Sequence, residues 1–154
     1  MLSDLLPEEA VLGVTATRNK ITQAQKDWLT EQLRKARALH HGACVGGDET
    51  AHDLAVLFGL SVYVHPPVDE KLMMPRAKFK GMRIIVYDPL PYLARNRVIV
   101  HECRKLLVLP DGPERLHSGT WSTCRYAAHL KRSGEVCYPN GDVLPIRKAV
   151  GCTK

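Results

Sequence analysis

The feature that most limits what this chain can become is an alternation of two kinds of segment. Short runs of apolar and small residues recur, and a stretch with helical periodicity follows most of them. The runs are residues 10–14 (AVLGV), 41–45 (HGACV), 60–65 (LSVYVH), 105–109 (KLLVL) and 135–138 (EVCY). Runs that are largely apolar, rather than strictly alternating, predict strands buried on both faces. A parallel sheet with helices on each side meets that condition.

The intervening segments read as those helices. Thr22 opens the first, with Gln25 three residues on as in a capping box. Its inner face runs through Gln25, Trp28, Leu29, Leu33 and Ala36 and ends near Leu39. In the second, Ala51, Leu54, Ala55 and Phe58 share one face, and Gly59 stops it. Residues 92–102 (YLARNRVIVHE) and 118–132 form two more. Residues 81–87 are ambiguous, a strand or an irregular run. Residues 139–142 (PNGD) make a tight turn, and 143–146 a short antiparallel return. The expected fold is α/β: a Rossmann-like three-layer sandwich with a mainly parallel sheet, as one domain over residues 1–154.

Composition narrows the setting. Apolar content of 45% and charged content of 25% are ordinary for a globular chain. No run approaches the ~18 apolar residues of a membrane span. The first ten residues, MLSDLLPEEA, lack the basic start of a secretion signal, so a cytoplasmic setting is expected. The five cysteines show no CxxC spacing and read as reduced thiols. His40, His41 and Cys44 lie close together, as do His101 and Cys103. No paired four-ligand pattern follows, so neither a metal nor a bound cofactor is expected. The formal charge of +6 is spread along the chain. That suits a phosphate-bearing ligand, and equally an ordinary basic surface.

In open α/β sheets the ligand sits outside the carboxyl ends of the strands, which singles out three loops. The first holds Thr17 and Arg18, an anion clamp or a solvated turn. The second holds Gly46, Gly47 and Asp48. The glycines allow close backbone approach, and Asp48 either caps a helix or meets ribose hydroxyls or a base edge. The third follows Leu109 and Pro110 and enters a helix at Ser118, Gly119 and Thr120. Hydroxyls and unpaired N–H groups at a helix start hold a phosphate or simply cap the helix. Arg95, Asn96 and Arg97 lie on a largely apolar helix, facing either this cleft or solvent. Trp121 is placed to stack on a base or to fill the core.

Five segments in order are GVTATR (13–18), HHGACVGGDETAH (40–52), VYVHPP (62–67), ARNRVIV (94–100) and SGTWSTCRYA (118–127). Together, over about residues 10–139, they resemble the SLOG superfamily. That Rossmann-like group includes the Lonely Guy phosphoribohydrolases, the DNA-processing protein A core and the small YpsA-like proteins of bacteria and phages. The chain is most similar to the last, nucleotide-binding branch. The resemblance implies a nucleotide or nucleotide-derived ligand, held by a sensor or sequestering protein, with phosphate at Thr120 and its neighbouring N–H groups. Arg95 or Arg97 matches the family's arginine. Family members often pair through helices, so a homo-oligomer is implied.

The Lonely Guy loop reads P-G-G-x-G-T-x-x-E, and its catalytic Glu falls here on Thr123. Thr cannot act as a carboxylate base. A nucleoside-5′-monophosphate phosphoribohydrolase or related N-glycosidic hydrolase would need another acid, with Asp48 and Glu49 as candidates. A third expectation is single-stranded nucleic-acid binding. The 6% aromatic content leaves few stacking platforms for it.

Overall fold

A computed structural model describes residues 10–151. The first strand, β1 (Val11–Ala16), is buried along its middle four residues. Helix α1 (Gln23–Arg34) starts at the capping box foreseen at Thr22 and Gln25, with both reciprocal bonds present. Gln25 does more than cap. It is buried, and its Nε2 donates to the carbonyls of Pro110 (2.7 Å) and Cys137 (2.9 Å). One side chain therefore ties α1 to the ends of two distant strands.

Helix α1 stops at Arg34, short of the expected end near Leu39. The N–H groups of Lys35 and Ala36 close back onto Gln32 and Leu33, and Arg37 N–H crosses to the Ala10 carbonyl. Residues Ala38–His41 then form β2, three positions ahead of the expected strand at 41–45. All four are buried. The burial of Leu39 continues the helical spacing by coincidence, because a central strand buries every residue. Residues 42–45 are a tight connection instead, where Cys44 bridges to Met73.

Helix α2 (Gly47–Leu57) and β3 (Ser61–Val64) follow. A 3-10 turn over Arg76–Phe79, unforeseen, precedes the short β4 (Ile84–Val86). The segments α3 (Tyr92–Glu102) and β5 (Lys105–Leu109) fall on their expected bounds. Then come α4 (Gly119–His129), β6 (Gly134–Cys137), β7 (Val143–Pro145) and a four-residue α5 (Ile146–Ala149).

The strand order is β4-β3-β2-β1-β5-β6-β7. Every neighbouring pair is parallel except β6–β7. Alternation along β5 divides the core. Leu107 and Leu109 pack on the side of α1 and α2, against Leu29, Leu33, Ala51 and Ala55. Leu106 and Val108 pack on the other side, with Ile99 and Val100 of α3 and Trp121, Cys124 and Ala127 of α4. Each fully buried aliphatic side chain contributes roughly 1.5–3 kcal/mol. The fold is α/β, Rossmann-like, with three layers around a mainly parallel sheet.

Candidate functional site

From β1 the chain builds outward through β2, β3 and β4, then returns to place β5 on β1's other side. Loops leaving β1 and β5 must therefore part in opposite directions, and a crevice opens at the carboxyl ends between them. A cavity of about 370 Å³ lies there. Its walls are the β1–α1 loop (Thr17, Arg18, Asn19), the turn after β2 (Gly42, Cys44) with Asp48, α3 (Arg95, Asn96), and the β5–α4 loop. That last loop contributes Asp111, Arg115, His117, Ser118, Gly119 and Thr120.

The β5–α4 side presents hydrogen-bond donors. Ser118 is the N-cap of α4, its Oγ accepting from Trp121 N–H (3.3 Å). The first bond within the helix runs from Ser122 N–H to the Ser118 carbonyl (2.8 Å). The N–H groups of Gly119 and Thr120 thus have no acceptor within the helix. A Cβ at Gly119 would meet nothing within 4 Å, so the approach to these donors is open. The helix's positive end and the cation of Arg18 favour an anion here, while Arg115 is already paired with the Asp111 carboxylate.

Asp111 was not singled out from the sequence, although it is the second residue past β5 and so lies at the ligand edge. Its carboxylate joins the two sides of the crevice. Oδ1 accepts from Arg115 (2.8 Å), and Oδ2 accepts from Thr17 Oγ1 (3.2 Å) and Asn19 Nδ2 (3.1 Å). The Arg115 bond holds this carboxyl below the usual carboxylate range.

The opposite wall is buried and polar. The Arg95 guanidinium donates to the carbonyls of Gly42 and His65, the latter at 3.1 Å, and its Nε donates to Asn96 Oδ1 at 2.7 Å. Among the described residues no carboxylate forms an ion pair with it. Asp48 faces it across Gly42. A Cβ on Gly42 would stand 2.6 Å from Arg95 Nη1 and 3.1 Å from Asp48 Oδ2. Any larger residue there would need Arg95 to shift. Asp48 Oδ2 accepts from Cys44 N–H (3.3 Å), while buried Oδ1 has no hydrogen-bond partner. Burial pushes the Asp48 carboxyl up to about 6, against the opposing pull of Arg95. Asp48 is not the helix cap. Gly46 is, with φ of 88°, and Asp48 is the second residue of α2.

Several expected site residues lie elsewhere. Gly46 and Gly47 bring two loops together rather than approaching a ligand. A Cβ on Gly46 would be 2.5 Å from the Thr17 carbonyl oxygen, and Gly47 N–H donates to that oxygen (3.0 Å). Pro110 is buried, its carbonyl taken by Gln25. Arg97 is exposed between α3 and α4, its guanidinium 4.9 Å from the Tyr126 ring centre. Trp121 is fully buried in the core beside Tyr138 and cannot stack on a base in the cleft. Glu49 pairs with Lys78 (2.8 Å) outside the cavity. Thr123 is buried and donates to the Gly119 carbonyl (2.9 Å).

Behind Arg95 lie four buried histidines in two pairs. His41 Nδ1 accepts from Ala43 N–H, so its Nε2–H donates to His52 Nδ1 (2.9 Å). His52 Nε2–H in turn donates to the Lys78 carbonyl (2.9 Å). His40 Nδ1 meets His65 Nε2 at 2.8 Å, and Tyr63 stacks on His40. Burial drives all four toward the neutral form: His40 to about 4, His65 to about 3, His41 far below its usual value and His52 below it. Among the described residues no three His, Cys, Asp or Glu side chains are grouped to hold a metal ion. No described helix is long and apolar enough to cross a membrane.

No protein-family model matches the chain, and no curated protein matches it either. In fold it is similar to the X-ray structure of DNA processing protein A from Streptococcus pneumoniae, with a TM-score of 0.62 and 22% identity. The match covers 82% of this chain and 49% of that one, so this chain spans about half the length of that structure. The fold is the Rossmann type found in DNA processing protein A.

Proposed function

We propose that the chain binds a nucleotide or nucleotide-derived ligand in the crevice between β1 and β5, as a sensor or sequestering protein of the YpsA-like kind. The observation that carries this reading is the pairing of two unlike ends in one cavity. At one end are the free N–H groups of Gly119 and Thr120 with Arg18, suited to phosphate, beside an Arg115 that Asp111 holds in place. At the other is Asp48, whose unpartnered buried Oδ1 can accept from a ribose hydroxyl or a base amine. The volume of about 370 Å³ is within the range of small-molecule sites.

Thermal unfolding with a panel of nucleoside mono-, di- and triphosphates tests this. A ligand at a hundred times its Kd adds about 2.7 kcal/mol to stability. Asp48→Asn and Arg115→Ala should each reduce that gain. If no nucleotide raises the midpoint, the reading fails.

The second reading is an N-glycosidic hydrolase acting on nucleoside monophosphates. Asp48 supports it, as a carboxyl inside the cavity raised to about 6 and thus able to give or take a proton near neutrality. Release of free base, lost in Asp48→Asn, would establish it. DNA processing, as named for the structural neighbour, supports a third reading of single-stranded nucleic-acid binding. Affinity falling steeply with salt is its signature.

A further inference from the structure

Three side-chain donors converge on one carboxylate inside the crevice. Thr17 Oγ1, Asn19 Nδ2 and Arg115 Nη1 all donate to Asp111. These four residues line the cavity that also holds Arg18, Gly119 and Thr120. A seat for an anion is therefore assembled here, and a side chain of the protein sits in it. At the other end of the cavity Asp48, 6% exposed, keeps an unpartnered Oδ1. The cavity's polar groups are thus incomplete without a ligand.

Two of the donors are placed without Asp111. Thr17 is buried, its N–H donating to the Leu109 carbonyl (2.9 Å) and its carbonyl accepting from Gly47 N–H (3.0 Å). Thr17 Oγ1 also accepts from Asn19 N–H (3.0 Å), which fixes the Asn19 main chain beside it. Asp111 itself is loosely held. Its side chain is 31% exposed and that of its partner Arg115 53%. Ion pairs this wet contribute little, so the carboxylate can turn into water at small cost. The Arg115 bond holds its carboxyl below the usual range, so the occupant of the seat is a full negative charge.

Whatever takes that seat must be the stronger anion. A terminal phosphate brings a charge of about −1.5 to −2 at pH 7 and three acceptor oxygens. A phosphodiester, as in a polynucleotide backbone, carries a single charge and has no advantage in charge over the carboxylate it must displace.

We infer that Asp111 occupies the seat of the ligand's own anion and restricts the crevice to ligands with a terminal phosphate, whose charge displaces it. The inference rests on the nucleotide reading above and narrows it to nucleotides with a free phosphate end.

NMR titration of the full chain with methyl phosphate, a monoester, and dimethyl phosphate, a diester, tests this. The wild type should bind the monoester roughly tenfold or more tighter than the diester. Asp111→Asn removes the charge and one acceptor oxygen. It should tighten methyl phosphate about tenfold, because the seat no longer has to be cleared. In that background Asn19→Ala should weaken methyl phosphate severalfold, since Asn19 then serves the ligand directly. Unchanged or weaker binding in Asp111→Asn would mean that Asp111 only supports Arg115. That result would overturn the inference and leave the crevice reading standing. So would a wild type that binds both probes equally, or an Asn19→Ala without effect. If neither the wild type nor Asp111→Asn binds methyl phosphate, the inference also falls, and the nucleotide panel decides the crevice reading separately.

Discussion

Acid should unfold this protein unusually early, because of the histidines behind the crevice. In the unfolded chain a histidine takes up its proton near pH 6.5. In the folded chain His40 does so only near 4 and His65 near 3, and His41 lies far below its usual value. A lowered folded value means that the stability is fully present above the unfolded value and is lost as pH falls from there toward the folded one. At about pH 5 the unfolded state therefore holds three protons that the folded state lacks, and His52 adds to the same side. Asp48 works in the opposite direction. Raised to about 6, it already carries a proton in the folded state that the unfolded carboxyl does not. The net is about two protons, and each proton is worth about 1.4 kcal/mol per pH unit. Stability should fall by roughly 3 kcal/mol per unit near pH 5, a steep slope for a total of 5–15 kcal/mol. Urea unfolding followed by tryptophan fluorescence, between about pH 7.5 and 5, measures that slope directly. A midpoint that does not move over this range would show that the four rings are not held neutral, and the reasoning would be wrong.

Three other perturbations have signs set by the geometry. Gly42→Ala drives a methyl into Arg95 and should cost about 1–3 kcal/mol in urea unfolding. An effect below 0.5 kcal/mol would mean that Arg95 moves freely. Gln25→Met keeps the volume but strips the Pro110 and Cys137 carbonyls of their donor, at a cost of about 2–4 kcal/mol by the same measurement. Asp48→Asn should stabilise the unliganded protein by about 1–3 kcal/mol at pH 8, since it removes a carboxylate that is costly to bury charged. That gain should shrink as pH falls below about 6, where the wild-type carboxyl is already protonated. A pH-independent difference would contradict the raised value.

The parallel order and the crevice position were legible because they depend on periodicity and on one topological rule. Helix α3 and strand β5 could be placed to the residue from apolar pattern alone. Strand β2 could not. Its sequence ALHH contains two histidines, which read as polar, and only their pairing with His52 and His65 makes them core residues. Such partners are distant in the chain and leave no local signal. The same reason hid Asp111, whose role depends on Thr17 and Asn19, about ninety residues earlier, on the other side of the crevice. Gly46 and Gly47 were read as ligand-facing because a glycine pair reports only that something comes close. Here that neighbour is the β1–α1 loop itself.

The junction of β1 with β5 also governs when the crevice can exist. Leu12 pairs with Lys105, about ninety residues later, while its other neighbour, Leu39, arrives early. A chain emerging at ~5–20 residues per second can set β1 beside β2 and β3 long before β5 is delivered. For roughly 2–9 seconds the central strand then offers a bare, strongly apolar flank inside the cell. Nascent copies are most exposed to mispairing in that interval, and the crevice has both its walls only when synthesis has passed the β5–α4 loop.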